Sequence, residues 1–372
     1  MKNKLKKSIR IKSLFCFLIM FFVSCSLVAV PGMELDAGFT IKNGRAGEDR
    51  AVAIPNLVTI SSKGYSFFAV LDGHGGKEVV DFVAENLHLN FIGSEYFPHN
   101  IPAALEFAFK ETDRLLSDKE FAKRCGTTAV VVVVTPEGES FIANLGDSRV
   151  KVFDGGRLIF RTTDHTPRDI NEMIRVMEAG GSIVVLKKDE GSGQQTVQKT
   201  LTIREGLLVV LTQATRILQR YQNVKKTIPK CLPDDFSDRN VARIFVPIEG
   251  SSDAITFDMT RAFGDFHCKP LVDGERHYWI SPEPSICMSR FRSKKRWILL
   301  ASDGFWGIMD YNRLDFKKVI SNMMRQGKSA QQISEALANK AREEWEKCLS
   351  EERHCEIDDI TVLLVKHPFQ PI

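Results

Sequence analysis

Carboxylates gather at five points far apart in the chain: Glu48-Asp49, Asp72-Gly73-His74-Gly75-Gly76, Gly146-Asp147-Ser148, Ser302-Asp303-Gly304 and Asp358-Asp359. Each point lies at the end of an apolar run. An unpaired carboxylate is expensive to bury, so several that converge at strand ends imply a shared cation. No Cys/His cluster accompanies them, and oxygen ligands alone select hard, largely hydrated ions such as Mg2+ or Mn2+. A single Asp-Gly is more often a turn residue that caps backbone amides. The set, rather than any one member, carries the inference.

The neighbouring residues supply the elements that would position these groups. Ser66 to Leu71 is a short apolar run bounded by turn residues, as expected of a buried strand, and it delivers Asp72 into a glycine turn. Trp297 to Ala301 delivers Asp303 in the same way, Phe141 to Leu145 leads to Asp147, and Asp359 precedes the run Ile360 to Val365. Thr127 to Thr135 reads as a valine-rich strand, and Val150 to Phe153 turns through Asp154-Gly155-Gly156 into Leu158 to Phe160 as a hairpin. Helical spacing of apolar residues marks Lys77 to Leu89, Ile101 to Leu116 with Pro102 near its start, and Asn171 to Ala179 before Gly180-Gly181. Two further helices are expected around Asp315 to Met324 and Ser329 to Ser350.

Seven strings in this order resemble the motif series of the metal-dependent protein phosphatase 2C family: LDGHGG at 71–76, GTTA at 126–129, NLGDSR at 144–149, DHTP at 164–167, TRAFGD at 260–265, LASDGFW at 300–306 and DDITV at 358–362. They look like a divergent, plant-like member. The resemblance implies an α+β fold, an αββα sandwich of two antiparallel sheets packed face to face and flanked by helices. It also implies a serine/threonine phosphoprotein phosphatase with two Mg2+ or Mn2+ ions per subunit and a water activated by them. By the same correspondence Asp72 would bridge the metals, the Gly73 carbonyl and Asp49 would complete their shells, and Asp303 with Asp358 would ligate from the opposite sheet. Glu48 would act through a water, Asp147 would serve a weaker third metal position, and His74 would protonate the departing serine or threonine oxygen. Residues alone leave His74 equally well read as a turn histidine. Arg149, Arg261 and Asp265 are read as bracing loops through buried ion pairs, with Asp265 no metal ligand.

The chain departs from the family pattern at four places. The phosphate-gripping arginine of the family lies four residues before the glutamate; that position here is Gly44, and Arg45, the candidate phosphate ligand, lies three before. Gly307 replaces an acidic residue after Trp306, and Asp359 stands where many members have Asn. Between Gly181 and Thr260 a long insertion is expected at about 186–252, either a docking or regulatory element or a divergent surface loop. Two functional readings follow: an active phosphatase, and a catalytically weak pseudophosphatase that binds phosphoproteins.

Composition fits one large domain. The 372 residues are 43% apolar and 26% charged, and much of the net charge of +4 lies in Met1 to Lys12, so no nucleic-acid partner is expected. The eight cysteines lack metal-site spacing, and the six beyond the N-terminal run are expected as reduced thiols. Residues 1–32 form a basic start followed by an apolar stretch at 14–30, and 33–368 form the phosphatase-like domain of a monomer acting on phosphoserine and phosphothreonine proteins. For 14–30 three readings stand: a membrane anchor, a cleaved signal peptide into the secretory pathway, or translation from Met33 yielding a cytoplasmic or nuclear protein.

Overall fold

The computed structural model describes residues 35–44, 46–60, 63–188, 195–200, 240–247, 254–290, 296–312, 315–351 and 357–366. Two antiparallel sheets dominate. One holds five strands in the spatial order Asp36–Lys42, Ile360–Lys366, Arg296–Ala301, Arg149–Asp154 and Arg157–Arg161. The other is built around Lys63–His74, Ala129–Val134 and Glu139–Leu145, with Asp49–Ile60 paired to Lys63–His74 and Ser285–Arg290 at an edge.

Alternation along the strands divides the core into three layers. Phe68, Val70, Val130, Val132 and Ile142 of one sheet meet Val150, Val152, Ile298, Leu300, Leu363 and Val365 of the other. The intervening residues Phe67, Ala69, Leu71, Val131 and Val133 face outward onto helices Glu78–Ile92 and Ile101–Leu116. On the opposite side Trp297, Leu299, Val362 and Leu364 pack against Asp303–Tyr311, Phe316–Arg325 and Ala330–Glu351. The result is the expected αββα sandwich.

Local chemistry explains the helix ends. Asn100 accepts the Ala103 amide ahead of Pro102, and Asp169 accepts the amides of Asn171 and Glu172 at the start of Ile170–Glu178. Gly155 and Gly156, both with positive φ, make the hairpin turn between Arg149–Asp154 and Arg157–Arg161.

A separate four-stranded sheet is made of Ser182–Lys188, Gln195–Thr200, Asn240–Pro247 and Ala254–Phe257. It packs Ile183, Ile244 and Phe257 against Met173 and Val176 of the Ile170–Glu178 helix. Most of the expected insertion, residues 201–239, lies outside the described residues.

The expectation of a membrane anchor, and with it membrane association or a membrane-anchored location, is corrected. Among the described residues no helix is long and apolar enough to cross a membrane. The stretch 14–30 itself lies outside the described residues. Cys125, Cys268, Cys287 and Cys348 are free thiols, while Cys231 and Cys355 are outside the described residues.

Candidate metal centre

Antiparallel pairing brings the acidic stretches to one end of the sandwich. Asp49 opens its strand directly opposite Asp72, near the end of Lys63–His74. Ala129 opposes Leu145, from which the chain turns to Asp147. Ala301 opposes both Arg149 and Val362, so Asp147, Asp303 and Asp358 emerge beside one another from the facing sheet. Asp303 also begins a helix, where a carboxylate suits the positive end of the dipole.

The electrostatics record how closely these groups approach. Burial holds Asp72 well above the ordinary carboxylate range, and the charges of Asp49, Asp303, Asp358 and Asp147 push it further. Burial raises Asp147 well above that range and raises Asp303, with Asp303 and Asp258 adding to the first effect. Asp49 and Asp358 rise to about 7, from burial first and then from neighbouring aspartates. Both carboxylate oxygens of Asp49 are buried without a hydrogen-bond partner among the described residues. The hydroxyls of Thr361 and Ser302 are near enough to lower its proton affinity, but they are not at hydrogen-bonding geometry.

Among the described residues no three His, Cys, Asp or Glu side chains already stand in a metal-holding arrangement. The donor set still fits a hard divalent cation, being oxygen-only, anionic and mutually repelling, with two orphaned oxygens on Asp49. Gly73 lies in the same crowded space. A Cβ there would meet the Glu48 carbonyl at 2.7 Å and Val80 at 3.0 Å, so only glycine keeps the backbone at this approach.

Surrounding residues fix the loops. Glu48 Oε1 accepts the Gly76 amide at 2.7 Å, tying the start of one strand to the turn after its partner. Asp359 Oδ2 accepts the amides of Glu48 at 2.6 Å and Asp49 at 3.3 Å, and its Oδ1 accepts that of Gly44. Gly44 has no room for a side chain, because a Cβ would overlap the backbone of Ile357 and Asp358. An arginine is therefore excluded there in this backbone, and Arg45 lies outside the described residues.

His74 Nε2 and Asp265 Oδ2 are 2.7 Å apart. Burial pulls the His74 pKa down, but the charge and hydrogen bond of Asp265 outweigh it and leave the group raised. The motif arginines pair as expected in kind: Arg149 donates to Asp164 at 2.7 and 2.8 Å, and Arg261 Nε donates to Glu172 at 3.0 Å. Sequence reasoning missed two partners. The motif pattern predicts Asp265 as the mate of a buried arginine, yet it meets His74. The resemblance makes Asp359 a substitute for Asn, yet it organises three amides. Its place immediately after Asp358 was the available signal.

His165 is held neutral, its pKa lowered to about 4 by burial and by Arg261. Its Nδ1 accepts the Gly146 amide at 3.2 Å, which sets the turn that carries Asp147.

The family model described as Protein phosphatase 2C matches residues 43–200 and 241–346, more than half of the chain. The chain belongs to the protein phosphatase 2C family. Protein phosphatase 1A of Homo sapiens is 26% identical over 339 residues, covering 87% of this chain and 68% of that protein. The same protein of Bos taurus is 26% identical over 322 residues, covering 82% and 64%. "Probable protein phosphatase 2C 45" of Oryza sativa subsp. japonica is 28% identical over 203 residues, covering 53% and 66%. The chain thus spans about two thirds of the length of these curated relatives. Mammalian and rice phosphatases match about equally well, so nothing singles out the plant-like, divergent membership expected from sequence. Among solved structures, a serine-threonine phosphatase 2C from Toxoplasma gondii superposes with a TM-score of 0.60 over 91% of this chain and 96% of that one. At 19% identity this likeness speaks for the fold.

Proposed function

We propose that this phosphatase 2C chain hydrolyses phosphoserine and phosphothreonine esters of proteins with the help of two Mg2+ or Mn2+ ions. The observation that carries the reading is the convergence of Asp49, Asp72, Asp303 and Asp358, with both Asp49 oxygens buried and unpartnered among the described residues. Asp49, Asp72, Asp303 and Asp358, with the Gly73 carbonyl, would hold the two cations. When bound, such a pair neutralises phosphate charge and lowers the pKa of an attacking water. Asp147 would serve a third, weaker position.

The remaining roles belong to the chain itself. Asp359 fixes the Glu48-Asp49 backbone, and Glu48 fixes the Gly76 turn. His74, partly exposed and close behind Asp72 in the strand, supplies a proton to the departing oxygen. Arg45 is the candidate phosphate ligand by sequence position.

A specific observation favours the alternative of a weak pseudophosphatase: residue 44 cannot bear the arginine the family uses to grip phosphate. Assay of the full chain on a phosphothreonine peptide with Mn2+, then with EDTA, separates the two. Turnover that the chelator abolishes supports the enzyme. Tight peptide binding without turnover assigns the chain to the alternative.

A further inference from the structure

Asp265 is fully buried, and its carboxylate has one partner among the described residues, His74. Oδ2 lies 2.7 Å from His74 Nε2, while Oδ1 is buried without a partner. A buried carboxylate with a single contact is costly unless that contact carries a proton between them. The surroundings are shaped for this contact. Asp265 adopts a left-handed backbone at φ 50, uncommon for a non-glycine residue. Gly126 lies in register opposite both His74 and Gly264, and a Cβ on it would overlap Asp265 Oδ2 and crowd His74 Nε2.

The contact is braced from three sides. The Asp265 amide donates to the Cys125 carbonyl at 3.0 Å. The Gly264 amide donates to Asp113 Oδ1 at 3.0 Å, and Asp113 is locked by the buried Lys269 ammonium at 2.7 Å. Phe257 of the small sheet meets the His74 ring edge-on, with centroids 5.8 Å apart. The imidazole is thus held at one nitrogen and against one neighbouring ring.

We propose that Asp265 is a positioning residue that binds His74 through Nε2, leaving Nδ1 as the nitrogen that protonates the leaving group. The proposal rests on the phosphatase reading. As water forms the new phosphorus–oxygen bond, the ester bond breaks with its electron pair on the seryl or threonyl oxygen. That oxygen takes the Nδ1 proton, and the imidazole is left neutral with Nε2–H still on Asp265.

Long-range 15N–1H NMR of the full chain tests the geometry without turnover. His74 Nε2 should carry a hydrogen-bonded proton, and Asp265→Asn should shift its signals; a His74 whose Nε2 bears no such proton, or is indifferent to the substitution, overturns the proposal. Should Asp265→Asn fail to fold, Gly126→Ala disturbs the same contact and is read by the same signals. In turnover, Asp265→Asn should lower kcat on a phosphothreonine peptide by about 10- to 100-fold with little change in KM. Loss on p-nitrophenyl phosphate, whose phenolate leaves unaided, should be under about 3-fold, and the substitution should add nothing in a His74→Gln background. Equal losses on both substrates, or additive losses in the double variant, overturn it. A chain inactive on every phosphoester leaves the NMR result to decide this proposal and removes only the phosphatase reading.

Discussion

Asp359 accepts the amide of Glu48 at 2.6 Å, so a carboxylate leading into one sheet fixes the backbone of the loop that opens the other. With Gly44 and Asp49 also donating to it, this one side chain sets where the Glu48-Asp49 pair can reach. Asp359→Asn keeps one acceptor oxygen and loses the charge, whereas Asp359→Ala loses all three bonds. Half-saturating Mn2+ should rise by about 10-fold for Asn and toward 100-fold for Ala, the range seen when support of a ligand is removed. Isothermal titration of metal into the chelator-stripped protein measures both. Unchanged affinity in the Ala variant contradicts this role.

In the metal-free protein Asp49 and Asp358 are raised from 3.8 to about 7. A carboxyl with a raised folded pKa favours the fold below its unfolded pKa and loses that contribution as pH rises through the folded one. The chelator-treated chain should therefore melt lower near pH 8 than near pH 5, and Asp49→Asn should flatten the slope. Mn2+ should reverse the loss, because it binds the ionised form that the apo fold disfavours. Calorimetry with EDTA and with Mn2+ checks this; a metal-free melting temperature that climbs across this interval refutes it.

The layers were legible from sequence because period and punctuation are local. Ile101–Leu116 has the bounds that its apolar spacing and Pro102 suggested, and the Gly155-Gly156 hairpin falls where its turn residues lie. Convergence of the strand-end aspartates was legible too, since antiparallel strands with acidic ends can stack those ends. The Asp265 contact was not. Its partner His74 is 191 residues away, and no local pattern reports which distant side chain a left-handed backbone will aim at. The exclusion of a side chain at Gly44 likewise depends on how closely residues 357 and 358 pass, which only the tertiary packing fixes.

That close passage makes Gly44→Ala informative. Its Cβ must displace the backbone that carries Asp358, so metal affinity should fall together with stability. A loss of roughly 1 kcal/mol corresponds to a drop of about 1–2 °C in melting temperature for a domain of over about 300 residues, at about 2.1 cal/mol/K per residue. Gly44→Arg should be at least as damaging and should not increase affinity for a phosphothreonine peptide. Tighter peptide binding by that variant would show that the loop adapts.

Glu172 ties the Ile170–Glu178 helix to the segment that leads to Asp265. It accepts Arg261 Nε at 3.0 Å, the Thr260 hydroxyl at 2.7 Å and Arg175 at 3.2 Å. Despite burial, the Arg261 bond and the Arg175 charge bring its pKa down to about 2. Its contribution is therefore full above the unfolded value and is lost as pH falls toward 2. Glu172→Ala removes the carboxylate that Arg175 and Arg261 share and leaves them only backbone carbonyls, so denaturant unfolding should register a loss of about 2–4 kcal/mol at neutral pH. A loss under about 1 kcal/mol would mean that water replaces the carboxylate at no cost.

Asp72→Ala and Asp303→Ala separate metal binding from folding. Asp303 raises the pKa values of Asp49, Asp72, Asp147 and Asp358, and Asp72 is itself raised by Asp49, Asp303, Asp358 and Asp147, so each substitution should relieve crowding in the metal-free protein and raise its melting temperature in EDTA. Each also removes an anionic oxygen donor, so Mn2+-stimulated hydrolysis of a phosphothreonine peptide should fall to background. The two readouts move in opposite directions only if the carboxylates serve a cation at the expense of the apo fold. A variant that keeps parental activity with unchanged Mn2+ dependence removes that residue from the centre. One that loses activity and melts lower in EDTA is reassigned to a structural role.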